Sequence, residues 1–326
     1  MRAIVCRALG DIDSLVFDDV PDPPLLDGGV RIAVEAAGIN FADTLIIAGK
    51  YQIRVAPPFS PGFEVAGRVL EVAEGVSRCR PGDRVMAVIE CGGFAEEVVA
   101  PQDCVFVLPA GVDPVVAAGF PIAYGTSHLA LTFKAGLRPG ETLLVHGAAG
   151  GVGLTAVEIG KRLGARVIAT AGGAAKLAVA TAAGADVVLD SRSEGLRDAI
   201  RTLTDGRGVD VVYDPVGGPL FEASLRATAG DGRILLVGFA SGEVPQIPAN
   251  ILLVKNITAI GFYWGAYRTL APEAMKASCE ELVRWLGEGS LHPHVSQTFP
   301  LEDAAQALHA LKARKTTGKV VLLTGR

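Results

Sequence analysis

The residues with the clearest chemical purpose are Gly147, Gly150 and Gly153, in the stretch Val145-His146-Gly147-Ala148-Ala149-Gly150-Gly151-Val152-Gly153. An apolar run, Thr142 to Val145, precedes them, and a helical pattern from Val152 to Leu163 follows. Glycines at this spacing let the chain turn sharply, approach a pyrophosphate without a Cβ in the way, and pack a helix closely on a strand. The helix N-terminus then offers free N–H groups and positive dipole to the anion. In a chain with 40 glycines the turn alone says little; its strand-turn-helix context points to a dinucleotide.

In sites for NAD, an Asp or Glu about 20 residues beyond the glycine turn binds the ribose 2′-hydroxyl. Here the corresponding stretch, Thr170-Ala171-Gly172-Gly173-Ala174-Ala175-Lys176, contains no acid. A carboxylate there would repel a 2′-phosphate, so its absence, with Lys176 close by, favours NADPH over NADH. The alternative for Lys176 is an ordinary solvated lysine on a helix.

Other reactive residue types form no site. The five cysteines, Cys6, Cys79, Cys91, Cys104 and Cys279, are far apart, and their odd number argues against a disulfide framework. His292-Pro293-His294 has no carboxylate or cysteine beside it and reads as a surface strand, and His146 at a strand end reads as structural. The net charge of −5, without a block of Lys or Arg, gives no support to nucleic acid as a partner. Apolar runs are short and broken, so no membrane span is expected, and Arg2-Ala3-Ile4-Val5-Cys6 reads as a strand without the pattern of a signal peptide, so the expected compartment is the cytoplasm.

The elements that carry these residues fall into two kinds. Up to about residue 120, short alternating or apolar runs (Leu15–Val20, Val30–Ala37, Glu64–Ala73, Arg84–Ile89, Phe94–Ala100, Cys104–Leu108) alternate with Gly/Pro turns, which predicts a β-rich, barrel-like domain. One helix, Phe41 to Ala48, interrupts it after Asn40. From Tyr124 onward, helices alternate with strands at 142–146, 166–170, 186–189, 209–213, 233–238 and 257–262, predicting a parallel, doubly wound sheet. The tail has helices at Pro272–Leu286 and Glu302–Lys312, a strand near 294–299 and a last strand at Lys319–Leu323. The expected organisation is α/β: a catalytic domain from 1–122, an inserted nucleotide domain from 123–263, and a return to the first domain from 264–326.

Several stretches resemble the zinc-free quinone oxidoreductases (zeta-crystallin-like) of the medium-chain dehydrogenase/reductase superfamily. They are Ala37-Gly38-Ile39-Asn40-Phe41-Ala42-Asp43-Thr44, Pro61-Gly62-Phe63-Glu64-Val65-Ala66-Gly67, Arg80-Pro81-Gly82-Asp83-Arg84-Val85, Gly92-Gly93-Phe94-Ala95-Glu96, the glycine turn, Tyr213-Asp214-Pro215-Val216-Gly217-Gly218, Lys255-Asn256-Ile257, Gly261-Phe262-Tyr263-Trp264-Gly265 and Gly318-Lys319-Val320-Val321. They keep the family's order across nearly the whole chain. The resemblance implies a GroES-like catalytic domain, an inserted Rossmann domain, and NADPH as cofactor.

By the same resemblance, Asn40 hydrogen-bonds near the nicotinamide or the acceptor oxygen, and Tyr51 orients or protonates the acceptor. Thr126, Phe239, Ser241, Phe262, Tyr263 and Trp264 surround the nicotinamide. Gly150, Gly151 and Val152 meet the pyrophosphate, Gly172 with Lys176 the adenosine phosphate, and Lys319 contacts the cofactor; where many relatives have Ser or Thr before the lysine this chain has Gly173 and Ala174, a departure that shifts the expected phosphate grip onto Lys176 and Arg192. The zinc-dependent relatives carry a Cys ligand at position 40 and a His ligand at position 63, where this chain has Asn40 and Phe63, so no metal is expected. The chemistry left is hydride delivery to an electrophilic acceptor, a quinone or an α,β-unsaturated carbonyl. Quinone reduction leads; reduction of enones or enoyl thioesters is the close alternative, and a non-catalytic NADPH-binding protein the alternative of another class. A homodimer is expected through the apolar strand Ile257–Phe262, which would otherwise leave a sheet edge open.

Overall fold

The computed structural model describes residues 1–326, and the chain divides into two compact units, residues 1–122 with 283–326, and residues 123–282. In the first unit, β1 (Arg2–Cys6) and β2 (Leu15–Asp19) form an antiparallel ribbon. β3 (Gly29–Ile39) is the hub of a larger sheet: Val30, Ile32 and Val34 are buried in alternation with half-buried Arg31, Ala33 and Glu35, and from Ala36 to Ile39 every residue is buried. On β3 pair β4 (Glu64–Val72) and β6 (Glu97–Pro101), and β5 (Arg84–Val88) and β7 (Val105–Val107) extend the sheet beyond β4. Gly67 of β4 is required where it stands, since a Cβ there would lie 1.9 Å from the Ala33 carbonyl oxygen, next to a bulge in the β3–β4 pairing. The core beneath includes Ile32, Ile46, Phe63, Phe94, Leu308 and Val320.

Two short helices stand at the end of this sheet. α1 (Phe41–Ile47) follows β3, and α2 (Pro114–Ala118) begins with Pro114 at a permissive first-turn position and is capped by Asp113, whose carboxylate accepts from Val115 N–H. α3 (Pro121–Leu129) then leads out of the unit and is followed by a wide π turn, Ala130–Lys134.

The second unit holds a six-stranded sheet, parallel throughout: β8 (Thr142–Val145), β9 (Arg166–Ala171), β10 (Val187–Asp190), β11 (Val209–Asp214), β12 (Thr228–Leu236) and β13 (Thr258–Gly261). Between them run α4 (Gly151–Arg162), α5 (Ala174–Ala182), α6 (Leu196–Leu203), α7 (Gly218–Ala227) and α8 (Ala249–Lys255). The spatial order is β10-β9-β8-β11-β12-β13, so the winding reverses between β8 and β11, the place where such sheets receive ligands. Strands with both faces covered require continuous apolar runs, and Leu143, Leu144, Val145, Val211 and Val212 are fully buried.

After α9 (Tyr267–Leu270) and α10 (Pro272–Gly287), β14 (Val295–Pro300), α11 (Ala304–Lys312) and β15 (Lys319–Leu323) rejoin the first unit, where β15 pairs antiparallel with β3. The return comes at residue 283, later than the 264 expected from sequence. The reason is packing: the Trp264 ring sits where a Cβ on Gly125 would be, Phe262 stacks on Tyr267 at 5.2 Å, and Ser278 bonds the His128 ring at 2.8 Å, all inside the second unit. No helix is long and apolar enough to cross a membrane.

Candidate functional site

The glycine turn opens directly from β8 into α4. Gly147 has φ +58°, a left-handed conformation that favours glycine, and a Cβ on Gly153 would lie 2.2 Å from the Gly147 carbonyl oxygen. Gly150 caps α4 with no side-chain hydrogen bond, so the first-turn N–H groups of a 12-residue helix are left without a side-chain acceptor. The helix start is held from below by Ser127, whose hydroxyl bonds Val152 O at 2.8 Å, Thr155 Oγ1 at 2.7 Å and Tyr213 Oη at 3.0 Å. Thr126 is buried beside it. Thr126 is expected from sequence, but Ser127 and Thr155 lie in no motif, and Tyr213, which opens the Tyr213–Gly218 stretch, meets them only through packing.

His146 follows β8 and is fully buried. Its Nδ1 bonds Thr170 Oγ1 at 2.7 Å and its Nε2 bonds Ser224 Oγ, so both ring nitrogens are committed. Burial lowers its proton affinity, opposed by the Asp214 carboxylate. Asp214 in turn accepts from Val216 N–H at 2.8 Å and Gly217 N–H at 2.9 Å, shaping the turn after β11. Phe239 and Ser241 close over that turn: Cβ atoms on Gly217 and Gly218 would lie 3.1 Å from Phe239 Cδ1 and Ser241 Oγ. Trp264 Nε1 is buried with no hydrogen-bond partner, a donor left available to a ligand.

At the adjacent ends of β9 and β10, Arg192 lies against Gly173, where a Cβ would come 3.0 Å from its guanidinium, and near Gly172. An acid missing from the glycine-rich stretch after β9 arrives from β10: Asp190 accepts from Arg192 Nε at 3.0 Å and Nη2 at 2.6 Å. Hydrogen bonds from Arg192 hold its carboxyl down at about 2. The expected phosphate-binding arginine is therefore tied to a carboxylate in this structure. The glycine cradle, the open helix N-terminus, the orphan Trp264 N–H and the cations at 176 and 192 together fit a phosphorylated dinucleotide.

The first unit gathers a separate polar cluster. Lys319 is only 7% exposed, and its ammonium donates to Ile39 O at 2.7 Å, Asn40 Oδ1 at 2.7 Å and Glu64 Oε1 at 2.8 Å. These three acceptors use all its N–H bonds, so the side chain expected to touch the cofactor is instead turned into the protein. Asn40 Nδ2 donates to Glu64 Oε1 at 2.8 Å, and Glu64 Oε2 accepts from Ile122 N–H at 2.9 Å. Glycines give the cluster room: a Cβ on Gly38 would lie 2.6 Å from Glu64 Oε1, and one on Gly119 3.1 Å from Lys319 Cβ. Phe63 is buried, with Tyr51 packed on it at 5.3 Å between ring centroids. His, Cys, Asp and Glu side chains nowhere gather in threes as metal ligands.

Comparison with known proteins accords with this pairing of a β-rich unit and a nucleotide-type unit. Residues 26–110 match the family model for the alcohol dehydrogenase GroES-like domain, and residues 151–284 the model named zinc-binding dehydrogenase. The chain is 42% identical over 326 residues to a quinone oxidoreductase-like protein 2 homolog of Nematostella vectensis, covering 99% of this chain and 89% of that protein. A mycobacterial protein solved in complex with NADPH superimposes with a TM-score of 0.93 at 35% identity, covering 99% of each chain. Escherichia coli quinone oxidoreductase, also solved with NADPH, gives 0.92 at 31% identity over 99% of this chain and 100% of its own. The fold and site define a two-unit, dinucleotide-dependent oxidoreductase class. Within it, the chain belongs to the zinc-independent, quinone-oxidoreductase-like branch of the medium-chain dehydrogenase/reductase superfamily.

Asp43 lies at the edge of the polar cluster, fully buried, accepting from Asn40 N–H at 2.7 Å and Gly62 N–H at 3.1 Å. Burial pushes its carboxyl up to about 7, against the lowering effect of the two N–H donors and Lys319. Between roughly pH 4, where an unfolded Asp releases its proton, and pH 7, the folded chain keeps a proton that the unfolded chain has lost. This group's contribution to stability is therefore complete below about pH 4 and declines as pH rises towards 7. Urea midpoints measured from pH 4.5 to 7.5 should fall less steeply in Asp43→Asn than in the parent protein; parallel slopes would refute the assignment.

Proposed function

We propose that the protein reduces quinones with NADPH by hydride transfer that uses no metal ion. The observation that supports this most directly is the commitment of the Asn40 amide to Lys319 and Glu64, with Phe63 packed under Tyr51, at the two positions where zinc-dependent relatives carry ligands. When bound, NADPH supplies a hydride, which with one proton from solvent converts a quinone to a hydroquinone. The glycine turn and the first turn of α4 hold the pyrophosphate, and Lys176 and Arg192 the 2′-phosphate. Thr126, Phe239, Ser241, Phe262, Tyr263 and Trp264 enclose the nicotinamide, while Asn40 and Tyr51 face the acceptor. NADPH oxidation should proceed with a panel of benzoquinones and be unchanged by a chelator. Faster turnover of enones would move the substrate class to α,β-unsaturated carbonyls, and tight NADPH binding without turnover on either panel would make the protein a non-catalytic binder.

Selectivity for the 2′-phosphate depends on how firmly Asp190 retains Arg192. Freeing the guanidinium in Asp190→Asn should lower KM for NADPH roughly two- to fivefold, the scale of an exposed ion pair, and leave KM for NADH nearly unchanged. An equal change for both cofactors would show that Arg192 does not read the phosphate.

Two copies associate, in this reading, through β13. It is one of the two edge strands of the parallel sheet, and Leu253 on the preceding α8 is 77% exposed beside exposed Val254. Light scattering should return twice the chain mass; a monomer at micromolar concentration would remove the interface.

A further inference from the structure

We propose that Lys319 and Glu64 are positioning residues that lock the Asn40 amide in one orientation and polarise it, leaving one Nδ2–H as the donor to an acceptor oxygen as that oxygen gains charge. This rests on the proposed quinone reductase function. The orientation of an Asn amide is often ambiguous, but here its surroundings decide it. An ammonium can only donate, so it must face Oδ1; a carboxylate can only accept, so it must face Nδ2. Both contacts are short, 2.7 Å and 2.8 Å, and the two charged groups also bond each other at 2.8 Å.

The two charges act on the amide in the same sense. A cation at the oxygen and an anion at one N–H both favour the charge-separated resonance form, negative on oxygen and positive on nitrogen. That form stiffens the C–N bond and makes the remaining N–H a stronger donor, as expected for linked hydrogen bonds in a low-dielectric site. Glu64 is fully buried and also fixed by Ile122 N–H, so the polarising carboxylate is held from two sides. Lys319 has no donor left over, so it acts only through its acceptors. A preorganised N–H that strengthens as charge develops is worth more in the transition state than with the neutral acceptor.

The test separates polarisation from scaffolding. Lys319→Met and Glu64→Gln each leave a buried partner unmatched, so the double variant K319M/E64Q, which removes both charges together, is measured beside them. Each is assayed with NADPH across substituted benzoquinones of graded reduction potential, with NADPH Kd and the unfolding midpoint measured in parallel. The expected result is a kcat loss of roughly 10- to 100-fold on the least electrophilic quinones, shrinking towards the most electrophilic ones, with Kd for NADPH unchanged. The plot of log kcat against potential is then steeper than in the parent protein. A uniform loss, or none, in the folded double variant overturns the positioning role while leaving quinone reduction standing. Failure of the parent protein to turn over any quinone overturns the proposed function and this role with it.

Discussion

The buried pair between Glu64 and Lys319 is the constraint around which the first unit is arranged. The two residues are 255 positions apart, and the pair closes only because β15 lies antiparallel on β3 while β4 lies on the other side of β3. Taking one partner away would leave an uncompensated buried charge, a loss of about 3–5 kcal/mol. The pair therefore ties the last strand of the chain to the first half of the unit and, through Asn40, to the start of α1. Asp43, at the same helix start, adds a second carboxylate that burial keeps close to neutral. Two carboxylates and one ammonium sharing a dry region are sustainable because one carboxylate carries the ion pair and the other readily holds a proton.

The second unit solves a different problem, that of receiving negative charge with backbone alone. A left-handed glycine at 147, a close approach at 153 and an uncapped helix start at 151 present N–H groups without a side chain in the way. Below them Ser127, Thr155 and Tyr213 form a buried hydroxyl cluster that fixes where α4 begins. His146 belongs to this support: with both nitrogens bonded and its proton affinity lowered by burial, it stiffens the strand end and has no free nitrogen for acid–base work.

Much of this arrangement is legible along the chain, because local backbone chemistry leaves local marks. The strand-turn-helix around Gly147, the alternation of strands and helices after Tyr124 and the end strand Lys319–Leu323 all follow from glycine spacing and apolar period. Two helices leave no such mark. α2 is five residues long, and in α8, which has no fully buried residue, the apolar run Ile251–Val254 is continuous and carries no helical period to read. The boundary at 264 is misjudged for a related reason: residues 264–282 read as a generic helical tail, and only Trp264 against Gly125 and Ser278 on His128 assign them to the second unit.

What the sequence determined by itself was the class of chemistry: a phosphate cradle of glycines, an acid-free turn after the next strand, and Asn40 and Phe63 where metal ligands stand in relatives. The first two are properties of residue type and short spacing, which need no knowledge of distant neighbours, and the third is what the family resemblance implies. Only the tertiary structure decided where the charges point. It turned Lys319 inward onto Asn40 and Glu64, placed the neighbouring Asp190 and Arg192 against the glycine-rich stretch after β9, and left the Trp264 N–H buried without a partner. The physical reason is that side-chain positions are set by sheet register and packing: Glu64 and Lys319 are 255 positions apart, and even Asp190 and Arg192, two positions apart, come against Gly173 only because β10 pairs with β9, so no period along the chain encodes these placements.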